Sequence, residues 1–336
     1  MSAHTLRLSD DELARVSVAL VDVDGVTRFD HRSGAQCYAA SIMKLAVAVA
    51  VLRELDRGLL SPDDLLLFDG GFASGLDGSR FTIDDDSVDP DFCVDGSISG
   101  HGGEEPMDSF PAHWVRRLDT SLAAGGSATV GSGLAGSGVA GSGVASAVAP
   151  GSGVMTVTRA LCRSITVSSN EGANLLMQAV GLEAVNSVLH DSGCKNSVVE
   201  RMVFDTAARD AGRTNLLTAL DAAQLMWSIR FGVIVDRASL AFLSQVLRLQ
   251  TQRSMIPFAL HDPLQRGEVV VGNKEGQTNE VLHDVAFVEP DDADPFVLAV
   301  CTSGLTELDA TLAVRKVATY AYENRFLWKS LKGGVE

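Results

Sequence analysis

Leu45–Leu52 (LAVAVAVL) has no polar side chain on any side of a helical wheel. A helix that is apolar all round is stable only when its surroundings enclose it. The run is far shorter than the roughly 20 residues that span a bilayer, and no other uncharged apolar stretch approaches that length. The chain must therefore build a globule thick enough to bury a central helix, and 336 residues are ample for one sizeable domain.

Ser41-Ile42-Met43-Lys44 leads directly into this run. A serine and a lysine three apart share one helix face. A serine in the first turn also sits where the helix dipole and free N–H groups favour developing negative charge. Burial disfavours the charged form of a lysine and turns it towards a neutral base. A serine nucleophile needs such a base. Ser192-Gly193-Cys194-Lys195 has the same spacing but lies in a polar turn with no buried helix behind it. It reads as a chance copy.

The formal charge of -16 argues against nucleic acid or an anionic membrane as partner. Acidity is concentrated between Asp63 and Asp108, where Arg80 is the one basic residue, and reads as a solvated surface. Asp84-Asp85-Asp86 lacks the glycine and distal glutamate of a calcium loop. The five cysteines (Cys37, Cys93, Cys162, Cys194 and Cys301) are scattered, with neither a C-x-x-C pair nor zinc-ligand spacing. No metal and no cofactor is expected. Reduced thiols and the absence of a signal-like start predict a cytoplasmic protein; Ser9-Asp10-Asp11-Glu12 reads as a helix cap.

Arg15–Asp24 alternates and is β-branched, and Gly25 turns it back into Thr27–His31 as a hairpin. The buried helix ends near Gly58. Residues from about Phe68 to Gly153 read as irregular, first acidic and then a Gly/Ser/Ala repeat (Gly131–Gly143) that cannot bury enough surface to order itself. The stretch from about Gly125 to Gly153 is expected to be mobile. Helical periodicity runs from Thr156 to about Leu247, broken at Gly181, Ser192-Gly193 and Gly212. Strands are predicted at Glu268–Val271, His283–Val288 and Phe296–Cys301, and a closing helix at about Leu308–Leu327. The fold class is α/β in the α+β sense: one antiparallel sheet flanked by helices, with an inserted, mostly helical lobe. A single domain is expected, its sheet lobe at about 10–40 and 260–330 and its helical lobe at about 41–259.

Two further segments complete a pattern. Ser168-Ser169-Asn170 precedes an amphipathic helix, and Lys274-Glu275-Gly276 falls between two of the predicted strands. Taken singly, the first reads as a helix cap and the second as a hairpin turn. Together, in the order S-x-x-K, S-x-N, K-x-G, they resemble the serine β-lactamases and penicillin-binding proteins, whose motifs are S-x-x-K, S-D-N and K-T-G. Class A is the nearest branch. The likeness covers roughly residues 15–60 and 154–325, and the insertion between them has no class A counterpart.

The resemblance implies a β-lactamase-like fold and assigns roles. Ser41 would be the nucleophile and Lys44 its general base. Ser168 would relay protons to the leaving group, and Asn170 would hold Lys44 and a substrate amide. Lys274 would supply positive potential, with Glu275, Gly276 and Gln277 lining the substrate site. The oxyanion hole would be the backbone N–H groups of Ser41 and Gln277.

Three departures narrow the expected activity. Ser169 replaces the acid of S-D-N. Glu275 replaces the hydroxyl residue of K-T-G, where it would repel a β-lactam carboxylate or neutralise Lys274. The E-x-x-L-N loop, whose glutamate activates the deacylating water, is missing from Glu200–Asn215, where Glu200 and Asp205 are weak substitutes. No H-E-x-x-H, P-loop or G-x-S-x-G motif offers another chemistry. His283-Asp284 reads as a packed strand pair. The expected function is a serine hydrolase or acyltransferase acting through acyl-Ser41 on a small ester or amide. The alternatives are a non-catalytic binding protein or degenerate member that keeps the fold and, behind it, a true β-lactamase.

Overall fold

The structure is a computed structural model that describes residues 6–83, 139–140 and 153–329. Asp84-Asp85-Asp86, Cys93 and nearly all of the Gly/Ser/Ala segment expected to be mobile lie outside the described residues.

Ser9 opens helix α1 (Asp10–Arg15) with a full capping box, its hydroxyl accepting from Glu12 N while the Glu12 carboxylate accepts from Ser9 N. Strands β1 (Val16–Asp22) and β2 (Thr27–His31) form the hairpin read from the sequence. The short strand β3 (Cys37–Tyr38) and a 3-10 turn (Ala40–Met43) then lead into α2 (Lys44–Arg57), which ends at Gly58 in the left-handed conformation. Lys44 to Leu52 are all buried, as an apolar helix surface requires. Each fully buried Leu or Val there contributes about 1.5–3 kcal/mol.

Strands β4 (Leu65–Phe68), β5 (Phe72–Ala73), β6 (Arg80–Phe81), β7 (Val139–Ala140) and β8 (Gly153–Thr156) form two small sheets at the lobe's edge. Here the structure corrects the expectation of irregular chain from Phe68. Phe68, Phe72 and Phe81 pack in series and give these short strands an apolar anchor.

Helices α3 (Val157–Thr166) and α4 (Asn170–Asp191) follow, with α4 broken at Gly181, whose φ of 80° is not helical. The remainder of the lobe is α5 (Thr206–Asp210), β9 (Leu216–Leu217), α6 (Ala219–Arg230), α7 (Arg237–Arg248), α8 (Ile256–Ala259) and α9 (His261–Gln265). Strands β10 (Val269–Gln277), β11 (Val281–Pro290) and β12 (Phe296–Ser303), with α10 (Glu307–Glu323), close the chain.

The main sheet is antiparallel, in the order β10-β11-β12-β1-β2. Its central strands are buried on both faces, and period-two alternation feeds two cores. Val16, Val18, Leu20, Leu298 and Val300 pack towards α8 and α10. Ala19, Val21, Val297, Ala299 and Cys301 pack towards α2 and the helical lobe. The sheet thus presents one face to the buried helix and to the turn carrying Ser41.

Candidate active site

Ser41 lies on the 3-10 turn, not in the first turn of the α-helix as the spacing alone suggested. Ala40, immediately before it, is held at φ 44°, in the left-handed region that costs a non-glycine residue about 1 kcal/mol or more. Ala39 N donates to Asn215 O, which pins the approach to this turn. The Ser41 side chain is part-exposed, and no hydrogen bond holds its hydroxyl among the described residues.

Lys44, at the start of α2, has no exposed surface. Its Nζ donates to the Ser168 carbonyl at 2.5 Å, to Asn170 Oδ1 at 2.8 Å and to Ser168 Oγ at 3.3 Å. Two of these partners can only accept. The Ser168 hydroxyl can also donate, so among them it is the one through which a proton can pass to or from the amine.

Ser168 sits in the short connection between α3 and α4, with φ at 60°. The cap of α4 is its neighbour Ser169, whose hydroxyl accepts from Gly172 N at 3.1 Å. A cap reading of Ser168 and Asn170 therefore fails: Ser169 does that work, and its flanking residues turn inwards to Lys44.

Lys274 approaches from the sheet. Its Nζ donates to Ser168 Oγ at 2.9 Å, to Glu275 O at 2.9 Å and to Glu275 Oε1 at 2.9 Å. The strand predicted to end at Val271 runs on to Gln277, so Lys274-Glu275-Gly276 lies inside β10, paired with Val285, Asp284 and His283 of β11. The polar run Asn273-Lys274-Glu275 reads as loop, yet its donors find partners within the fold, while Asn273 Oδ1 is buried without one among the described residues. Asn273 Nδ2 bonds Asp284 Oδ1 and Gln252 O, and Lys274 pairs with Glu275.

A Cβ on Gly276 would lie 3.2 Å from Ser41 N, 3.2 Å from Ala40 Cβ and 3.1 Å from Ile42 Cγ1. A larger residue there would push the Ser41 turn back by a few tenths of an ångström, so glycine suits the close approach of β10. Gln277, the last residue of β10, is exposed.

Glu275 is 6% exposed. Burial alone would raise its carboxyl, but the Lys274 charge and hydrogen bond, with Lys44 and the Ser168 hydroxyl, hold it below the usual carboxylate range. Of the two outcomes foreseen for Glu275, the ion pair with Lys274 is the one the fold adopts. Two buried lysine side chains thus lie around one carboxylate.

The two weak substitutes for a water-activating glutamate are engaged elsewhere. Asp205 accepts from Ser74 Oγ, Gly75 N and Ala208 N. Glu200 accepts from Arg213 Nη1 and Thr214 N. His283 and Asp284 are 0% and 1% exposed, a packed pair below the site.

Residues 5–83 and 135–324 match the family Beta-lactamase2, described as a beta-lactamase enzyme family. The chain belongs to this family. Its fold is that of the beta-lactamase from Sphaerobacter thermophilus DSM 20745, at 20% identity and TM-score 0.62 over 93% of this chain and 92% of that one. PBP-A is similar at 15% identity and TM-score 0.60, over 96% and 98% of the two chains. So is a beta lactamase from Burkholderia vietnamiensis, at 16% identity and TM-score 0.60, over 94% and 97%. No curated protein matches the chain in sequence. Among the described residues no helix is long and apolar enough to cross a membrane.

One grouping escaped the sequence. Cys37, His283 and Cys301 offer ligand atoms that lie within 4.8 Å of one another. Cys37 and His283 are 246 positions apart and His283 and Cys301 18; the pairing of β11 with β12 joins the latter two, and Cys37 meets His283 from β3. Local spacing carries no signal for such a contact.

Proposed function

We propose that the chain is a serine hydrolase or acyltransferase that works through an acyl-Ser41 intermediate on a small ester or amide. The observation that carries this reading is Lys44: an amine with no exposed surface, three residues after a part-exposed serine, bonded to Ser168 and Asn170. Ser41 attacks the substrate carbonyl and its proton passes to Lys44. Ser168, bonded by both Lys44 and Lys274, returns a proton to the leaving group. Asn170 fixes Lys44 and offers its amide to the substrate. The backbone N–H groups of Ser41 and Gln277 receive the oxyanion, and Gly276 permits their approach.

The ion pair of Lys274 with Glu275 shapes specificity. It neutralises Lys274 and places a carboxylate where an anionic substrate would dock. Neutral esters and amides are favoured over β-lactams, which carry a carboxylate. With Glu200 and Asp205 engaged, no carboxylate among the described residues is positioned to prepare water for deacylation, so β-lactams that do react stay attached. A small nucleophile brought by the substrate system is then the more effective acceptor. The partner is a small molecule, neither nucleic acid nor membrane, and a cytoplasmic setting fits this chemistry.

Intact-protein mass after exposure to a fluorophosphonate tests the proposal. Wild type and Ser192→Ala should each gain one adduct, and Ser41→Ala none. Absence of an adduct on folded wild type would favour a non-catalytic binding protein. Steady-state nitrocefin turnover of about 1–10³ per second would show efficient β-lactam hydrolysis and overturn the reading of Glu275.

A further inference from the structure

Cys37, in β3, is half-buried, while Cys301 and His283 are buried on the face of the sheet that meets the helical lobe. His283 Nε2 lies 2.9 Å from Tyr38 O and 3.6 Å from Cys37 Sγ, and Thr302 N donates to His283 Nδ1 at 3.3 Å. Cys37 Sγ also lies 3.5 Å from Leu217 O.

Two thiols and an imidazole at this separation suit either a soft metal or thiol redox chemistry. The histidine tautomer separates the two. Nδ1 accepts a backbone N–H, so the ring proton sits on Nε2, the nitrogen that faces the sulfur. A metal on Nε2 would displace that proton, break the bond to Tyr38 O and leave an Nδ1–H against Thr302 N–H. The same proton is well placed to donate to a Cys37 thiolate.

We propose that Cys37 and Cys301 form an oxidisable dithiol, with Cys37 the thiolate that attacks a hydroperoxide and Cys301 the thiol that resolves it. Cys37 Sγ attacks the terminal oxygen of the hydroperoxide, the O–O bond breaks, and the remainder leaves as alcohol, or as water from hydrogen peroxide, with the proton that the Cys37 thiol gave up in becoming a thiolate. Cys37 becomes a sulfenic acid. Cys301 Sγ then attacks Cys37 Sγ, the S–O bond breaks and water leaves with the Cys301 proton. The two thiols lose two electrons to form one disulfide, and the hydroperoxide gains them.

The charge distribution agrees with this division of labour. The hydrogen bond from Cys301 lowers the Cys37 thiol, burial opposes it, and the His283 ring adds to the lowering. The same contact and full burial push Cys301 up. Cys194 is a contrast within the chain: it is 5% exposed, donates to Asp221 O, and is raised by burial and by Asp221. A Cys37–Cys301 bond would tie β3, the lead into the Ser41 turn, to β12.

The test is peptide mapping of the full chain after one equivalent of hydrogen peroxide, with and without dithiothreitol. The expected result is a loss of two hydrogens in mass and a reducible Cys37–Cys301 peptide. In Cys301→Ser, dimedone should trap Cys37 as its sulfenic acid. Native wild type needs no variant for the second readout: iodoacetamide should alkylate Cys37 about tenfold or more faster than Cys162 or Cys194. Peroxide that leaves both thiols free, or a disulfide with a different cysteine, would overturn the proposal. Retention of one zinc ion that shields Cys37 and Cys301 from alkylation would replace it with a metal site.

Discussion

Ser41-Ile42-Met43-Lys44 and Ser192-Gly193-Cys194-Lys195 share a spacing and differ in what the fold does with it. The first enters α2, its lysine without exposed surface and bonded to Ser168 and Asn170. The second closes α4: Ser192 is the C-cap, Gly193 turns at φ 77°, and Lys195 points to solvent. A four-residue pattern brings a hydroxyl and an amine within reach of each other. Desolvation of the amine and a fixed set of partners turn that proximity into chemistry, and those come from elements more than 100 residues away in sequence.

The largest effect should come from removing each lysine in turn. Lys44→Ala should slow fluorophosphonate labelling of Ser41 by about 10² to 10⁴, the range for loss of a general base. Lys195→Ala should leave the rate unchanged. Equal losses in the two variants, measured as second-order labelling rates, would erase the distinction drawn between the copies.

The Ser41 copy was legible because the apolar run behind Lys44 announces burial by itself. Ser168 and Asn170 were legible by their order along the chain, although the spacing did not reveal that Ser169 is the cap. The extent of β10 was not legible. Asn273, Lys274 and Glu275 look like a solvated turn until Asp284, Gln252 and Ser168 supply their partners. Cys37, His283 and Cys301 were invisible for a related reason: strand register joins His283 to Cys301, and Cys37 reaches them by packing from another sheet. Local patterns thus disclosed the buried helix and the motif order, and missed the polar groups whose partners are distant.

Asp284 extends the lesson about burial to a carboxylate. Burial pushes it up to about 7, against hydrogen bonds from Asn273 and the Ile256 backbone that pull it down, while Glu275 adds to the rise. Between the ordinary carboxylate range and pH 7 the unfolded chain ionises here and the folded chain keeps its proton, so stability falls as pH rises. Relative to Asp284→Asn, wild type should lose on the order of 3–4 kcal/mol between pH 4 and pH 7, by denaturant titration. A flat difference would mean that Asp284 stays ionised in the fold, neutralised through Lys274.

Glu275→Thr asks whether the Lys274 end of the site, freed from its ion pair, behaves as a binding site for anions. Like charges about 4 Å apart near a protein surface repel by about 4 kcal/mol, and Lys274 offsets most of this for Glu275. Acylation of Ser41 by penicillin should rise about tenfold by mass spectrometry, a share of that repulsion. Release of the acyl group should stay slow, because Glu200 and Asp205 remain bonded elsewhere. Faster release together with faster acylation would mean that Glu275, and not a missing base, limits turnover.

The smallest effect concerns two serines at the two ends of α4. Ser169 caps its start with a hydroxyl bonded to Gly172 N, whereas the Ser192 hydroxyl is buried at its end without a hydrogen-bond partner among the described residues. Ser169→Ala should cost about 1 kcal/mol, the usual value of an N-cap. It should also slow labelling of Ser41 a few-fold, since the cap orients Ser168 and Asn170 on either side. Ser192→Ala removes an unsatisfied polar group and should change stability by no more than about 0.5 kcal/mol, with labelling untouched. Denaturant midpoints and labelling rates for the two variants check this together. A Ser169→Ala protein that loses stability but keeps its full labelling rate would show that the connection between α3 and α4 holds its shape without the cap. The left-handed turn at Ser168 would then be fixed by Lys44 and Lys274 alone.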